Sequence, residues 1–119
     1  MELKIFYETI GQDYAAVLNR MMGNEAFLSS MLRKFADDPT MDALEAAMQS
    51  GEPKAIFHQA HSLKGVAENL GLKPLYEALF ALTEITRNGG MEGAEQAFVQ
   101  VRQEYEQVLR LLNTVVTAQ

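Results

Sequence analysis

Apolar residues recur three and four positions apart along the whole chain, and no stretch alternates steadily between apolar and polar residues. The first spacing lines one face of a helix, whereas steady alternation is typical of a strand. Residues that favour helices, above all Ala, Leu, Met, Glu and Gln, dominate the composition. The pattern therefore predicts an all-α protein.

Glycines, prolines and capping residues divide this pattern into separate helices. The first predicted helix covers residues 3–22, either continuous or broken at Gly11 with Asp13 as a new N-cap. Further helices are predicted over residues 24–36, 40–50, 53 to 69 or 70, 74–88 and 91–117. The second predicted helix has an apolar side formed by Phe27, Leu28, Met31, Leu32 and Phe35.

Short connections between amphipathic helices make successive helices antiparallel neighbours in space. We therefore expect a single domain over residues 1–119, an antiparallel up-and-down four-helix bundle with an additional N-terminal helix and a core over about residues 13–117. The last helix has a seam spaced by four and three residues, formed by Ala94, Phe98, Val101, Tyr105, Val108, Leu112 and Val115. We interpret this seam as bundle core and expect a monomer, with a dimeric coiled coil as the alternative.

Composition and charge exclude several classes of protein. With 48% apolar residues and 22% charged residues, the chain of 119 residues is neither disordered nor fibrous. The net charge of −6 repels nucleic acids and anionic membrane surfaces, so we expect neither as a partner. The longest apolar runs are five residues, whereas a membrane-spanning helix needs about 20. The absence of cysteine fits a cytoplasmic protein.

The predicted helix that begins at residue 53 carries the candidate chemistry. Its apolar stripe is formed by Ile56, Ala60, Leu63, Ala67 and Leu70, which share one side of a helical wheel. His58, His61, Gly65 and Glu68 lie on the side away from this stripe, so we expect His61 to be accessible to solvent. Lys64 lies beside His61, one turn further along the helix.

Gly65 is unusual, because a glycine in the middle of a helix costs about 1 kcal/mol relative to alanine. It follows His61 by four residues, so the missing side chain clears the helix surface directly beside the imidazole. Imidazole is a nucleophile near neutral pH, and the ammonium group of Lys64 would stabilise a phosphoryl group placed on it. Together the three residues indicate a site that accepts a phosphoryl group.

Other chemistry has weaker support in the sequence. His58, His61 and Glu68 share a helical face, but zinc needs four ligands and the chain has only two histidines. We therefore expect no metal site. The chain also has no nucleophile elbow and no glycine-rich phosphate loop, and the GGMEG segment at residues 89–93 is interpreted as a turn.

The segment AHSLKGVAENLG, residues 60–71, resembles the signature of histidine-containing phosphotransfer (HPt) domains of two-component phosphorelays. In that signature a histidine is followed by any residue and then by Leu-Lys-Gly, with a small residue and Leu-Gly further on. The resemblance extends from about residue 13 to the C-terminus and implies a four-helix bundle. It implies that His61 carries the phosphoryl group, that Lys64 is its electrostatic partner and that Gly65 is the cleared position.

Two features depart from the pattern of the resembled family. Val66 stands where many members have Ser or Thr, which we interpret as a packing change. Some members also present polar side chains from the following helix, and the corresponding residues here are Thr83 and Arg87, four residues apart. Arg87 is a candidate second phosphate contact, or alternatively a solvated cation at a helix C-terminus. Glu68 and His58 complete the secondary candidates.

The resemblance implies a carrier that moves a phosphoryl group between aspartates of receiver domains. We expect no nucleotide site and no kinase activity of its own, and we expect Mg²⁺ to be supplied by the receiver domain. A non-catalytic helical interaction module is the alternative function. The sequence identifies neither the donor nor the acceptor, and leaves open whether the domain is free-standing or part of a hybrid kinase.

Overall fold

The computed structural model describes residues 2–116, and the side chains of residues 3–114. Over that range the chain forms α-helices and no strand. The helices are α1 (Glu2–Thr9), α2 (Tyr14–Arg20), α3 (Glu25–Ala36), α4 (Thr40–Ser50), α5 (Pro53–Asn69), α6 (Lys73–Thr86) and α7 (Ala94–Val116). The all-helical fold predicted from the sequence is confirmed.

The segment predicted as the first helix forms two helices, α1 and α2, which are separated at Gly11. The option of a break at Gly11 is therefore confirmed. Gly11 adopts a left-handed φ of 76°, which a residue with a side chain rarely adopts. Asp13 then begins α2 as its N-cap, because its carboxylate accepts a hydrogen bond of 3.0 Å from the Ala15 amide. Asn24 caps α3 in the same way through the Phe27 amide. Both capping residues predicted from the sequence are confirmed.

The connection between α6 and α7 is longer than predicted. Helix α6 ends at Thr86 and α7 begins at Ala94, whereas the pattern predicted residues 88 and 91. Gly89 and Gly93 both adopt left-handed φ values, of 86° and 83°, so the chain makes its last turn only at Gly93. The predicted end of the last helix at Thr117 lies outside the described residues.

The helices pack in a continuous series around one core. Helix α5 packs against α4 and α6, α6 packs against α7, and α7 also contacts α3 and α1. The predicted stripe of α5 is fully buried, at 1% exposure or less for each of Ile56, Ala60, Leu63, Ala67 and Leu70. Burial of this stripe turns the opposite face of α5 towards solvent.

The seam of α7 packs inside the bundle. Buried seam residues are Ala94, Val101, Val108 and Leu112, and the partly buried Phe98 and Tyr105 pack against the same core. The interpretation of the seam as bundle core is therefore confirmed over these residues, while the side chain of Val115 lies outside those described. An ion pair between Arg102 of α7 and Glu45 joins α7 to α4.

One predicted apolar residue of α3 is exposed. Leu28, Leu32 and Phe35 are buried, but Phe27 is 49% exposed, so its placement on the core side was wrong. Phe27 lies about 100° from Leu28 around the helix, which places it at the edge of the apolar stripe rather than at its centre.

The N-terminal helices α1 and α2 pack against the C-terminal end of α5. Buried residues of α1 are Leu3, Phe6 and Tyr7. The hydrophobic core therefore begins at Leu3, before residue 13, where the sequence placed its approximate start. The Tyr7 hydroxyl donates a hydrogen bond of 2.7 Å to the Leu70 carbonyl, just after α5. Arg20 of α2 donates to the Glu68 carbonyl at 3.3 Å.

No helix within residues 2–116 is long and apolar enough to cross a membrane.

Candidate functional site

The solvent-facing side of α5 carries the candidate residues that the sequence singled out. Helix α5 begins with Pro53 at its first turn, where a proline needs no intrahelical hydrogen bond. His58, His61, Gly65 and Glu68 are all exposed, as the helical wheel predicted. The accessible position of His61 follows directly from burial of the stripe on the opposite side.

The imidazole of His61 packs against an aromatic ring of its own helix. The ring of Phe57, one turn earlier, lies 5.5 Å from the imidazole centroid with a tilt of 37°. Among the described residues, neither ring nitrogen of His61 has a hydrogen-bond partner. A reacting group arriving from solvent therefore meets an oriented ring whose nitrogens are available.

Gly65 leaves open space beside His61. A Cβ atom added at Gly65 would meet no described atom within 4 Å beyond its own helical backbone. No contact among the described residues therefore explains the choice of glycine at a position where alanine would favour the helix. Gly65, Val66 and Asn69 line a groove with Arg20 of α2 and Met31 of α3. The cleared surface is thus continuous with a groove towards α2 and α3.

Lys64 lies half-buried between α5 and α6. Its Nζ atom is 5.4 Å from the centroid of the Phe80 ring, on α6. The ring of Tyr76, one turn earlier on α6, lies 6.2 Å from that of Phe80. The ammonium group therefore rests on an aromatic face of α6, while Lys64 itself follows His61 by three residues on α5.

Arg87, at the C-terminal end of α6, approaches the site from the other direction. Its guanidinium carbon lies 5.3 Å from the centroid of the Phe57 ring, which also packs against His61. Its Nη2 atom forms an ion pair of 2.8 Å with the Glu84 carboxylate. Arg87 and His61 therefore contact the same ring, that of Phe57.

Thr83 does not belong to the accessible site, which corrects the expectation from the sequence. It is fully buried, and its hydroxyl donates a hydrogen bond of 2.6 Å to the Leu79 carbonyl. Thr83 follows Leu79 by one turn and so lies on the buried stripe of α6. The spacing of four residues does not place Thr83 and Arg87 in one site. Arg87 follows the last residue of α6 and its side chain is exposed, whereas Thr83 is buried.

The remaining secondary candidates are exposed on α5. Glu68 lines the groove with Gly65, and His58 precedes His61 by three residues. No group of three His, Cys, Asp or Glu side chains within the described part of the chain is placed to hold a metal ion.

Sequence reasoning missed the two aromatic residues of the site. Phe57 lies beside the apolar stripe of α5 and Phe80 lies within an apolar segment of α6, so neither residue stands out in the apolar pattern of the sequence. The sequence carries a signal for Phe57 alone, because it precedes His61 by four residues and so lies beside it on the helix. The cationic partners of both rings depend on how α5 and α6 pack, which the sequence pattern does not reveal.

Comparison with known protein families matches residues 27–111 to the Hpt domain. The matched range runs from the first turn of α3 into α7 and contains all of α5 and α6. No curated protein and no solved structure matches the chain significantly.

Proposed function

The chain belongs to the Hpt domain family, and from this premise we propose that His61 carries a phosphoryl group between aspartates of two receiver domains. Histidine phosphotransfer within a phosphorelay is the function of this family, and its domains interact with receiver domains. The proposal adds the acceptor residue, the neighbouring groups and the route of the phosphoryl group.

One observation carries the assignment to His61. The imidazole is exposed in the middle of α5, within the matched range, and open space lies over the glycine one turn further on. His58, the other histidine, lacks a cleared neighbour at the same spacing, since Ser62 follows it by four residues. The helix surface therefore favours approach of a bulky partner to His61.

The chemistry needs no co-reactant beyond the phosphorylated receiver. The unprotonated Nε2 of a neutral imidazole attacks phosphorus, the new N–P bond forms and the bond from phosphorus to the aspartyl oxygen breaks. The aspartate leaves as a carboxylate with the electron pair of that bond. Transfer to a second receiver reverses these steps, with an aspartate oxygen as nucleophile and the imidazole as leaving group.

Lys64 and Arg87 supply positive charge on either side of the reacting imidazole. A phosphoryl group in flight spreads negative charge over its three outer oxygens, so nearby cations stabilise the transition state. The ammonium group of Lys64 acts as a mobile charge, while the guanidinium of Arg87, whose Nε and Nη2 atoms donate to Glu84, offers its remaining N–H groups to the phosphoryl oxygens.

The receiver domain completes the reaction in this proposal. It supplies Mg²⁺ and most of the transition-state stabilisation, while this chain supplies a positioned nucleophile. No kinase domain is found in the chain, and we expect the pure protein not to phosphorylate itself from ATP. We further expect it to act as a monomer, since the seam of α7 packs against its own core. The absence of cysteine from the sequence supports the expectation that it acts in the cytoplasm.

Transfer of radiolabelled phosphate tests the proposal. The purified protein is mixed with a phosphorylated receiver, and we expect it to gain label that is labile in acid and stable in alkali. His61→Gln should gain none, whereas the control His58→Gln, altered on the same exposed face, should be labelled like the wild type. Circular dichroism confirms that each variant is folded.

Two results would contradict the proposal. Equal labelling of the His61→Gln variant would move the acceptor to another residue. Folded wild-type protein that accepts no label from any of several receivers would favour the alternative function, a helical module that binds partners without chemistry.

A further inference from the structure

Both cations of the candidate site rest on aromatic rings of the neighbouring helix. Phe57 of α5 holds the guanidinium of Arg87, which follows α6, at 5.3 Å, and Phe80 of α6 holds the ammonium of Lys64, on α5, at 5.4 Å. The two pairs are crossed, since each side contributes one ring and one cation. We call these four residues the aromatic clasp.

The clasp brackets His61 along the helix. Phe57 precedes His61 by one turn and Lys64 follows it by nearly one turn, so a contact lies on each side of the imidazole. Phe57 and Lys64 are seven residues apart, as are Phe80 and Arg87. Seven residues correspond to about two helical turns on each helix. When α5 and α6 pack antiparallel, both ring–cation contacts can therefore form at the same time.

A ring holds a cation differently from a carboxylate. The face of an aromatic ring attracts positive charge but carries no net charge, so the cation stays available to an incoming anion. Contact with the ring also limits the rotamers of a long side chain, which would otherwise have to be ordered during the reaction. Among the described residues this availability holds fully for Lys64, whereas Arg87 also donates from Nε and Nη2 to the Glu84 carboxylate and has the ring of Phe57 as a second partner.

Packing alone does not account for Phe80. Its side chain is 45% exposed, so much of its apolar surface gains nothing from burial. Phe57 is half-buried and contacts two polar side chains, His61 and Arg87, through its ring. A branched aliphatic residue would fill similar volume without offering a face for a cation.

We propose that Phe57 and Phe80 are positioning residues for phosphoryl transfer, which hold Arg87 and Lys64 on opposite sides of His61. This inference rests on the proposed function of His61 as phosphoryl acceptor. It assigns the rings an indirect part, since Phe57 touches Arg87 and His61 and Phe80 touches Lys64, while neither ring touches the phosphoryl group.

Transfer kinetics at varied receiver concentration test the inference. Phe57→Leu and Phe80→Leu should each lower the rate constant at saturating receiver by about two- to fivefold, the change that an exposed cation–ring contact corresponds to. The half-saturating receiver concentration should stay unchanged, because binding of the receiver is not altered. Phe57→Tyr and Phe80→Tyr keep an aromatic face and should restore the wild-type rate constant.

A matched control comes from α7. Phe98 and Arg102 form a third ring–cation pair, at 5.2 Å, on a helix that contributes no residue to the clasp. Phe98→Leu should leave the transfer rate constant unchanged. Thermal unfolding of all variants shows whether any change in rate follows a loss of stability instead.

Double variants show whether each ring acts through its cation. In a Lys64→Met background, Phe80→Leu should have no further effect on the rate constant. In an Arg87→Met background, Phe57→Leu should have a smaller effect than in the wild type, because only its contact with His61 remains. Additive effects would overturn the inference. A rise only in half-saturating concentration would also overturn it, because the rings would then belong to the surface that binds the receiver.

Failure of this inference differs from failure of the proposed function. Wild-type protein that accepts no phosphoryl group overturns both. Wild-type protein that accepts the group on His61 with leucine variants that transfer at the same rate overturns the positioning role alone.

Discussion

Gly65, in the middle of α5, and Gly71, just after its end, lie six residues apart and have different surroundings. A Cβ at Gly65 would meet open space, and its backbone is ordinary helix. Gly71 has a left-handed φ of 70°, and a Cβ there would lie 2.5 Å from Cγ2 of Val17. The fold requires glycine at position 71, whereas nothing described in the fold requires it at position 65.

The comparison separates two causes within one short sequence signature. The end of α5 is held from inside the protein by Tyr7, Val17 and Arg20 of the N-terminal helices. The middle of α5 faces outward and carries the exposed imidazole of His61. The fold therefore explains the glycine at position 71, while no described contact explains the one at position 65, where the proposed function places the approach of a receiver.

The largest expected effect on folding is at Gly71. Gly71→Ala should lower the free energy of unfolding by about 2–4 kcal/mol, because the side chain is strained at positive φ and overlaps Val17. Gly51→Ala is the control, since Gly51 has a φ of 71° and open space around it. Urea unfolding of both variants separates strain from overlap. Equal losses would show that the overlap relaxes without cost.

A larger side chain at Gly65 should impair transfer and not folding. Gly65→Gln places a long side chain over the surface beside His61, and we expect transfer from a phosphorylated receiver to slow roughly tenfold, equivalent to about 1.4 kcal/mol in activation free energy. Ala46→Gln, at an exposed position of α4, adds the same side chain elsewhere and should transfer normally. Unchanged transfer in Gly65→Gln would refute the steric role.

A small side chain at Gly65 should stabilise the protein. Gly65→Ala is expected to raise the free energy of unfolding by about 1 kcal/mol, because alanine favours the helix and its Cβ meets no described atom within 4 Å. Urea unfolding measures this change. A decrease would reveal an internal requirement for glycine and would remove the contrast with Gly71.

The smallest expected effect is a loss of stability at alkaline pH, caused by tyrosines near the C-terminal end of α5. Burial raises the pKa of Tyr7, whose hydroxyl donates a hydrogen bond to the Leu70 carbonyl. Burial is also the largest cause for Tyr14, and together with the hydrogen bond to the Glu25 carboxylate it raises the pKa of Tyr14 to about 12. Because the folded state keeps these hydroxyls protonated, their contribution to stability is complete below pH 10 and is lost as the pH rises through the raised values.

Urea unfolding between pH 8 and about pH 10.5 measures this contribution. Tyr7 should account for a fall of less than about 1 kcal/mol over that interval. Tyr7→Phe removes the titrating group, so its stability should decline less than that of the wild type. Parallel pH profiles would show that Tyr7 is not protected in the folded state.

The sequence predicted correctly those features that depend on the residues of a single helix. The buried stripe of α5, the N-caps Asp13 and Asn24 and the exposure of His61 all depend on local spacing, which the sequence shows directly. Phe27 marks the limit of this reasoning, because a residue at the edge of a stripe is buried only if a neighbouring helix reaches it.

Features shared between helices were not predictable from the sequence. Thr83 and Arg87 have helical spacing, yet the first is buried and the second reaches Phe57, because burial depends on how α6 packs against its neighbours. The contacts of Phe57 and Phe80 with their cations arise from the register between α5 and α6, and a pattern along one chain does not fix that register.

The contacts of α1 and α2 with α5 have a consequence for the design of fragments and fusions. The family match begins at residue 27, inside α3, so a fragment cut to the matched residues would lose Tyr7, Val17 and Arg20. The Leu70 carbonyl would lose its hydrogen-bond donor, and the turn at Gly71 would lose the surface that packs on it. A fusion that transplants the histidine helix into another protein should therefore include the chain from Leu3 onward.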